Sequence, residues 1–123
     1  MANTPSPQKP AVLLLDDNRD AVDMLAKVLQ LQGYEAIATY DVRTALDTLD
    51  RRQDVQTIVA DIRMPQVDGF DFMRVVKVRY PTIPVILVSG HEITADDVVP
   101  AGAKILKKPL DIPSLLNLLP QLR

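Results

Sequence analysis

Five short apolar runs recur along the chain, each followed closely by charged, hydroxyl or glycine positions. They are Ala11–Leu15, Glu35–Thr39, Thr57–Ala60, Pro84–Val88 and Lys104–Leu106. The first, third and fourth are nearly continuous Val, Ile and Leu, the pattern of central parallel strands buried on both faces. Between the runs the apolar spacing becomes helical. Ala21, Leu25, Val28, Leu29 and Gln32 form one face, closed by Gly33 as the residue after the helix. Val42, Ala45, Leu46 and Leu49 form a second, capped by Asp41. Phe72, Val75, Val76 and Arg79 form a third, after Asp68-Gly69 and ended by Pro81. Ile112, Leu115, Leu116 and Leu119 form a fourth. Alternating strands and helices with short links predict an α/β fold with a parallel sheet and right-handed crossovers. The stretch Thr94–Ala103 breaks the pattern, since Val98 and Val99 are its only large apolar residues and Pro100 interrupts it. Proline inside a helix costs about 3 kcal/mol, so one or two turns at most are expected there.

Composition adds limits. At 123 residues the chain is one domain. Apolar residues make up 47% and charged residues 24%, which suits an ordinary soluble protein. A net charge of −2, with no Lys/Arg stripe, gives nucleic-acid binding no electrostatic support. The absence of cysteine excludes disulfides and thiol chemistry. Residues 1–10 are polar and proline-rich without an apolar segment, so they read as a disordered tail and not a signal peptide. No run approaches the roughly 20 apolar residues of a membrane span. A cytoplasmic domain over residues 11–120 is expected, with no membrane partner.

The chemistry lies at the strand ends. Asp16-Asp17 follow the first run and Asp61 follows the third. Open α/β sheets build their sites at the carboxyl ends of strands. Three carboxylates gathered there repel one another and hold raised pKa values. At about 4 Å and an effective dielectric near 20, each like-charged pair costs roughly 4 kcal/mol. A divalent cation relieves that repulsion. Taken singly, each motif also has a plainer reading. Asp16, Asp17 and Asn18 are suited to cap the next helix, and Asp61 to end a strand in a turn. Asp68-Gly69 shapes a turn on either reading. Lys108 before Pro109 fits an extended surface step whose isomer the sequence leaves open.

Taken in order, Asp16-Asp17-Asn18, Asp61-Ile62-Arg63-Met64-Pro65-Gln66-Val67-Asp68-Gly69, Ser89-Gly90 and Lys107-Lys108-Pro109 resemble the receiver domain of two-component response regulators. The resemblance runs from residue 11 to about 120. It implies a flavodoxin-like, doubly wound, five-stranded parallel sheet of order 2-1-3-4-5 with flanking helices. It makes Asp61 the acceptor of a phosphoryl group from a histidine kinase or a histidine phosphotransfer domain. Mg2+ (or Mn2+) would be held by Asp17, Asp61 and the backbone carbonyl of Arg63, and by Asp16 through water. Lys108 would pair with one phosphoryl oxygen and Ser89 would donate its hydroxyl to another. Phosphorylation adds about −1.5 to −2 charges, and movement of Ser89 and Lys108 toward them would switch a surface read by a downstream protein. The Arg63 and His91 side chains are candidate modulators of phosphoryl lifetime. On this reading the domain is a phosphoacceptor and not an enzyme. The Lys108-Pro109 step resembles one that is cis in the family.

Two departures from the family pattern bear on signalling. Receivers usually carry an aromatic residue three positions before the lysine; here that switch position is Ile105, whose χ1 is stiff and which has no ring to swing. The interval from Ser89 to Lys108 is shorter than usual by about one helical turn. With Pro100, this makes the fourth family helix short or irregular and remodels a face commonly used for output and dimerisation, so dimerisation stays open. Two other classes fit less well. A phosphohydrolase of the haloacid-dehalogenase type needs a second Asp two residues after its nucleophile, where this chain has Arg63. A flavodoxin-like nucleotide binder needs a Gly- or Ser/Thr-rich loop after strand one, where this chain has Asp-Asp-Asn. Met1 reads as a native amino terminus, and the end at Arg123 fits a stand-alone regulator or a module of a hybrid histidine kinase. A receiver fold used as a phosphorylation-independent binding module is the remaining alternative.

Overall fold

A computed structural model describes residues 9–65, 67–94 and 97–121. Of the expected tail, residues 1–8 lie outside the described residues. In chain order the elements are β1 (Ala11–Leu15), α1 (Arg19–Leu31), β2 (Glu35–Thr39), α2 (Val42–Arg51) and β3 (Val55–Asp61), followed by α3 (Gly69–Arg79), β4 (Val85–Ser89), β5 (Lys104–Lys107) and α4 (Ile112–Leu118). The strands form one parallel sheet of order β2-β1-β3-β4-β5.

Each of the four described helices starts in the same way. Asn18, Asp41, Asp68 and Asp111 occupy the cap positions, and each side chain accepts the amide three residues on. Such a cap satisfies one orphan donor and contributes about 1 kcal/mol. At the other end of α1, Gly33 adopts φ 100°, which L side chains avoid, and this turns the chain into β2.

Alternate strand residues feed two cores, as the period of two requires. Leu13, Leu15, Ile58, Ala60 and Leu87 pack with Ala45, Leu49, Phe72, Met73 and Val76 on the α2/α3 side. Val12, Leu14, Val59, Ile86 and Val88 pack with Val22, Leu29 and Leu115 on the α1/α4 side. Tyr34 is buried in this second core and donates its hydroxyl to the Pro120 carbonyl at 2.7 Å, tying the carboxyl-terminal segment to the start of β2.

Three details depart from the pattern read in the sequence. The buried face of α1 is Val22, Ala26 and Leu29, with Ala21 exposed. The buried face of α3 is Phe70, Phe72, Met73 and Val76, while Val75 and Arg79 point outward. Gly69 begins that helix, closer to Asp68 than the spacing implied, and this rotates the face. Strand β3 extends through Asp61 and β4 through Ser89, so both residues end a strand instead of following it. Pro84 has no amide to donate, and the β4 ladder starts after it.

The segment between β4 and β5 contains no helix among the described residues. The Asp97 amide donates to the Thr94 carbonyl at 3.1 Å. Pro100 follows and stops propagation, as it also restricts residue 99. Of the one or two helical turns expected over Thr94–Ala103, the described residues carry none, and residues 95 and 96 lie outside them.

Truncating Phe72 to Ala should cost about 3–5 kcal/mol in urea denaturation. The neighbouring Val75→Ala, on the outward face, should stay within about 0.5 kcal/mol of the parent. Equal losses at the two positions would contradict the assigned face.

Candidate functional site

Strand register decides which side chains meet. Leu15 lies level with Thr39 on one side and Ala60 on the other, Asp61 with Val88, and Ser89 with Lys107. The carboxyl ends of β1, β3, β4 and β5 therefore share one edge. The residues just after them, or last in them, are Asp16, Asp17, Asp61, Ser89 and Lys108.

The carboxylates of Asp16, Asp17 and Asp61 each place an oxygen within 4.8 Å of the other two. Asp61 is buried, Asp16 partly so and Asp17 exposed. The Lys108 ammonium lies 3.3 Å from both Asp16 and Asp61. Its backbone amide donates to the Ser89 carbonyl at 2.8 Å, which fixes where the side chain rises from the sheet edge. The Lys108-Pro109 bond is cis. The second oxygen of Asp16 accepts the Asn18 amide at 3.0 Å, while Asn18 itself caps α1. The plain capping reading therefore holds for Asn18, leaving the two acids before it free for the site.

Gly69 is also part of the arrangement, in a way the sequence did not disclose. A Cβ there would lie 2.5 Å from the Asp61 carbonyl oxygen and 2.7 Å from the Ile62 Cα. Only glycine lets α3 press this closely on the backbone that carries Asp61.

Other candidates stand apart from the cluster. The Ser89 hydroxyl donates to the His91 carbonyl at 2.5 Å and accepts the His91 amide at 3.1 Å. The His91 residue is exposed. The Arg63 guanidinium turns to Asp97, at 3.6 Å. Ile105 packs, half-buried, against the α2/α3 core. Asp97 was not singled out in the sequence, although Thr94-x-x-Asp97 has the spacing of a helix-start box and would have marked it.

The sequence profile described as "Response regulator receiver domain" matches residues 12–120. The chain belongs to this family. Among curated relatives, the response regulator protein FleR of Pseudomonas aeruginosa is 32% identical over 111 residues, covering 87% of this chain and 23% of FleR. The transcriptional regulatory protein CpxR of Escherichia coli is 30% identical, covering 72% of this chain and 41% of CpxR. The receiver thus spans less than half the length of these relatives. Among solved structures, a response regulator receiver protein from Pseudomonas putida superposes with a TM-score of 0.80 at 26% identity, covering 92% of this chain and 97% of that one. The receiver domain of the hybrid histidine kinase CckA gives 0.71 at 28% identity, covering 87% and 93%. The sheet order and flavodoxin-like architecture are those of the family. No helix among the described residues is long and apolar enough to cross a membrane.

The electrostatics of the receiver's acidic site follow from its burial. Burial pushes the Asp61 carboxyl above the ordinary carboxylate range, and the charges of Asp16 and Asp17 push it the same way. Lys108 pulls it back without cancelling the rise. Burial lowers the Lys108 pKa, but Asp61 and Asp16 together outweigh that and hold it above its usual value. With all groups ionised, three carboxylates face one ammonium, leaving two negative charges in excess. That excess, with one exposed and two shielded carboxylates, fits a hard divalent cation that keeps part of its water shell. Asp16, Asp17 and Asp61 are the residues that would hold it.

A raised Asp61 pKa means that the folded state binds this proton more tightly than the unfolded chain does. Stability tied to Asp61 is therefore lost as pH rises through the unfolded carboxylate value of about 3.9 toward the folded one. In EDTA, Asp61→Asn should melt at a higher temperature than the parent at pH 7, and the difference should shrink as pH falls toward 4. Calorimetry at several pH values checks this. A variant less stable than the parent at pH 7 would contradict the assigned repulsion.

Proposed function

We propose that this receiver takes a phosphoryl group onto Asp61 from the phosphohistidine of a histidine kinase or a histidine phosphotransfer domain, in a reaction that needs Mg2+. An Asp61 oxygen bonds to phosphorus as the phosphorus–nitrogen bond to the donor imidazole breaks, leaving an acyl phosphate and a free imidazole. The observation that carries the reading is the pairing of three clustered carboxylates with one lysine that touches two of them. A cluster built only for stability would not hold unbalanced, shielded carboxylates.

Each residue has a task in this scheme. Asp17, Asp61 and the Arg63 carbonyl would hold the metal, with Asp16 reaching it through water, and the metal would supply positive charge to the transferring phosphoryl group. Lys108 is already beside Asp61 and pairs with a phosphoryl oxygen after a short movement. Ser89 must release the His91 carbonyl before its hydroxyl reaches the same group. Positioning and charge neutralisation carry most of phosphoryl transfer, so no separate general base is required. An apolar cavity of about 470 Å³ between α1 and α4, reaching Asp61 and Lys108 at one end, offers contact surface to a protein donor. The domain is a cytoplasmic phosphoacceptor, not an enzyme with a released product, and its modified form is read by a downstream protein.

Intact mass after incubation with acetyl phosphate and Mg2+ tests this directly. One added phosphoryl group is expected on the parent, and none on Asp61→Asn or in EDTA. Lys108→Ala should slow the modification by about 10²-fold, the usual effect of removing one charge-stabilising donor. A phosphotransfer domain carrying phosphohistidine should give the same product faster. A folded protein that stays unmodified with both donors would overturn the reading.

A further inference from the structure

The strap between β4 and β5 is fastened in an unusual way. Apolar packing is confined to its ends, where Ile93 and Ala103 rest on the α2/α3 core, while between them Val98 is 74% exposed and Val99 39%. Instead, two cations one turn apart on α3 reach across to its backbone. Arg74 donates to the Val98 carbonyl, and the Lys77 ammonium to the Ala101 carbonyl at 2.5 Å. The front end is fixed by Asp97. One of its oxygens accepts the Thr94 amide at 2.8 Å, completing the reciprocal turn of a helix start. The other faces the Arg63 guanidinium.

Arg63 lies two residues after Asp61, in the loop whose backbone borders the acidic cluster. Among the described ion pairs, Arg63 with Asp97 is the one that joins this loop to the strap. The pair is loose. A separation of 3.6 Å through a single nitrogen is not the two-pronged geometry that a guanidinium prefers. Arg63 is also half-exposed.

We propose that Arg63 is a phosphoryl-binding residue held in reserve by Asp97: when Asp61 is phosphorylated, the guanidinium leaves Asp97 for the phosphoryl group and the strap at 97–101 is released from the rim of the site. The inference rests on Asp61 being the phosphoacceptor. Four features support the exchange. A phosphoryl group carries about −1.5 to −2 charges against the single charge of Asp97, and its oxygens match the planar fork of arginine. Asp97 does not lose its structure when Arg63 leaves, because its other oxygen stays on Thr94. Ile105 is half-buried against the core and has no ring to relocate, so a signal through that position has no moving part. The middle of the strap, held by polar contacts and with Val98 mostly in water, belongs to the low-stability end of the fold and can move at little cost. Asp97 is thus a positioning residue, acting on the site only through Arg63.

Hydrogen exchange of the full chain, read by mass spectrometry with acetyl phosphate and Mg2+ present, tests the exchange of partners. Intact mass of the same sample reports the extent of phosphorylation. In the parent, phosphorylation should raise exchange across residues 97–103 by at least about threefold. Asp97→Asn keeps an oxygen for the Thr94 amide but removes the charge; its strap should exchange faster before phosphorylation and change less than about twofold after it. The phosphorus NMR resonance of the modified protein should move in Arg63→Ala and not in Asp97→Asn, which a merely structural pair would not produce. Full modification with unchanged strap exchange in the parent, or an unmoved resonance in Arg63→Ala, overturns the proposal alone. No added mass overturns the phosphoacceptor reading and the proposal with it.

Discussion

The contact of the Lys108 ammonium with both Asp16 and Asp61, at 3.3 Å each, holds together groups that the sheet forces into proximity. Parallel register brings the ends of β1, β3, β4 and β5 to one edge, and burial of both sheet faces leaves that edge as the place where charge can be presented. One lysine does not neutralise three carboxylates, and Asp61 stays above its ordinary pKa even with Lys108 beside it. The site is therefore under electrostatic tension within an otherwise consistent fold. Such local inconsistency is common where a group is kept for chemistry, and it supports the proposed role of Asp61.

Much of this was legible in the sequence because two independent periodicities agree. The Val/Ile/Leu runs located the strands, and their polar ends located the cluster without reference to side-chain contacts. What was misread has identifiable causes. The face of α3 was placed through Val75 because an apolar residue in a helix was counted toward the core; the cap at Asp68 starts the helix at Gly69 and turns Val75 outward. Asp61 and Ser89 were placed just past their strands, but ladder bonds extend through both, and hydrogen bonding at a strand end leaves little trace in composition. The need for glycine at 69 comes from a backbone approach made elsewhere in the chain, which no local pattern encodes.

The segment before β5 shows a different kind of limit. Pro100 correctly signalled that a helix could not run through it, yet nothing in the sequence said what would replace the helix. A parallel β4-to-β5 connection needs a crossover, and the crossover needs something to hold it against the sheet's flank. Helices usually supply this by burying an apolar stripe. Here the described residues between Ile93 and Ala103 present no such stripe, and Arg74 and Lys77 on α3 hold the strap by binding carbonyls. Polar fastening differs from apolar fastening in one respect that matters for a signalling domain. Its strength depends on where nearby charges sit, which is why the proposed exchange of Arg63 between Asp97 and a phosphoryl group would be felt by the strap, whereas a packed stripe would be indifferent. Where a packed helix would make a rigid flank, this chain has a strap whose middle is held by polar contacts to α3.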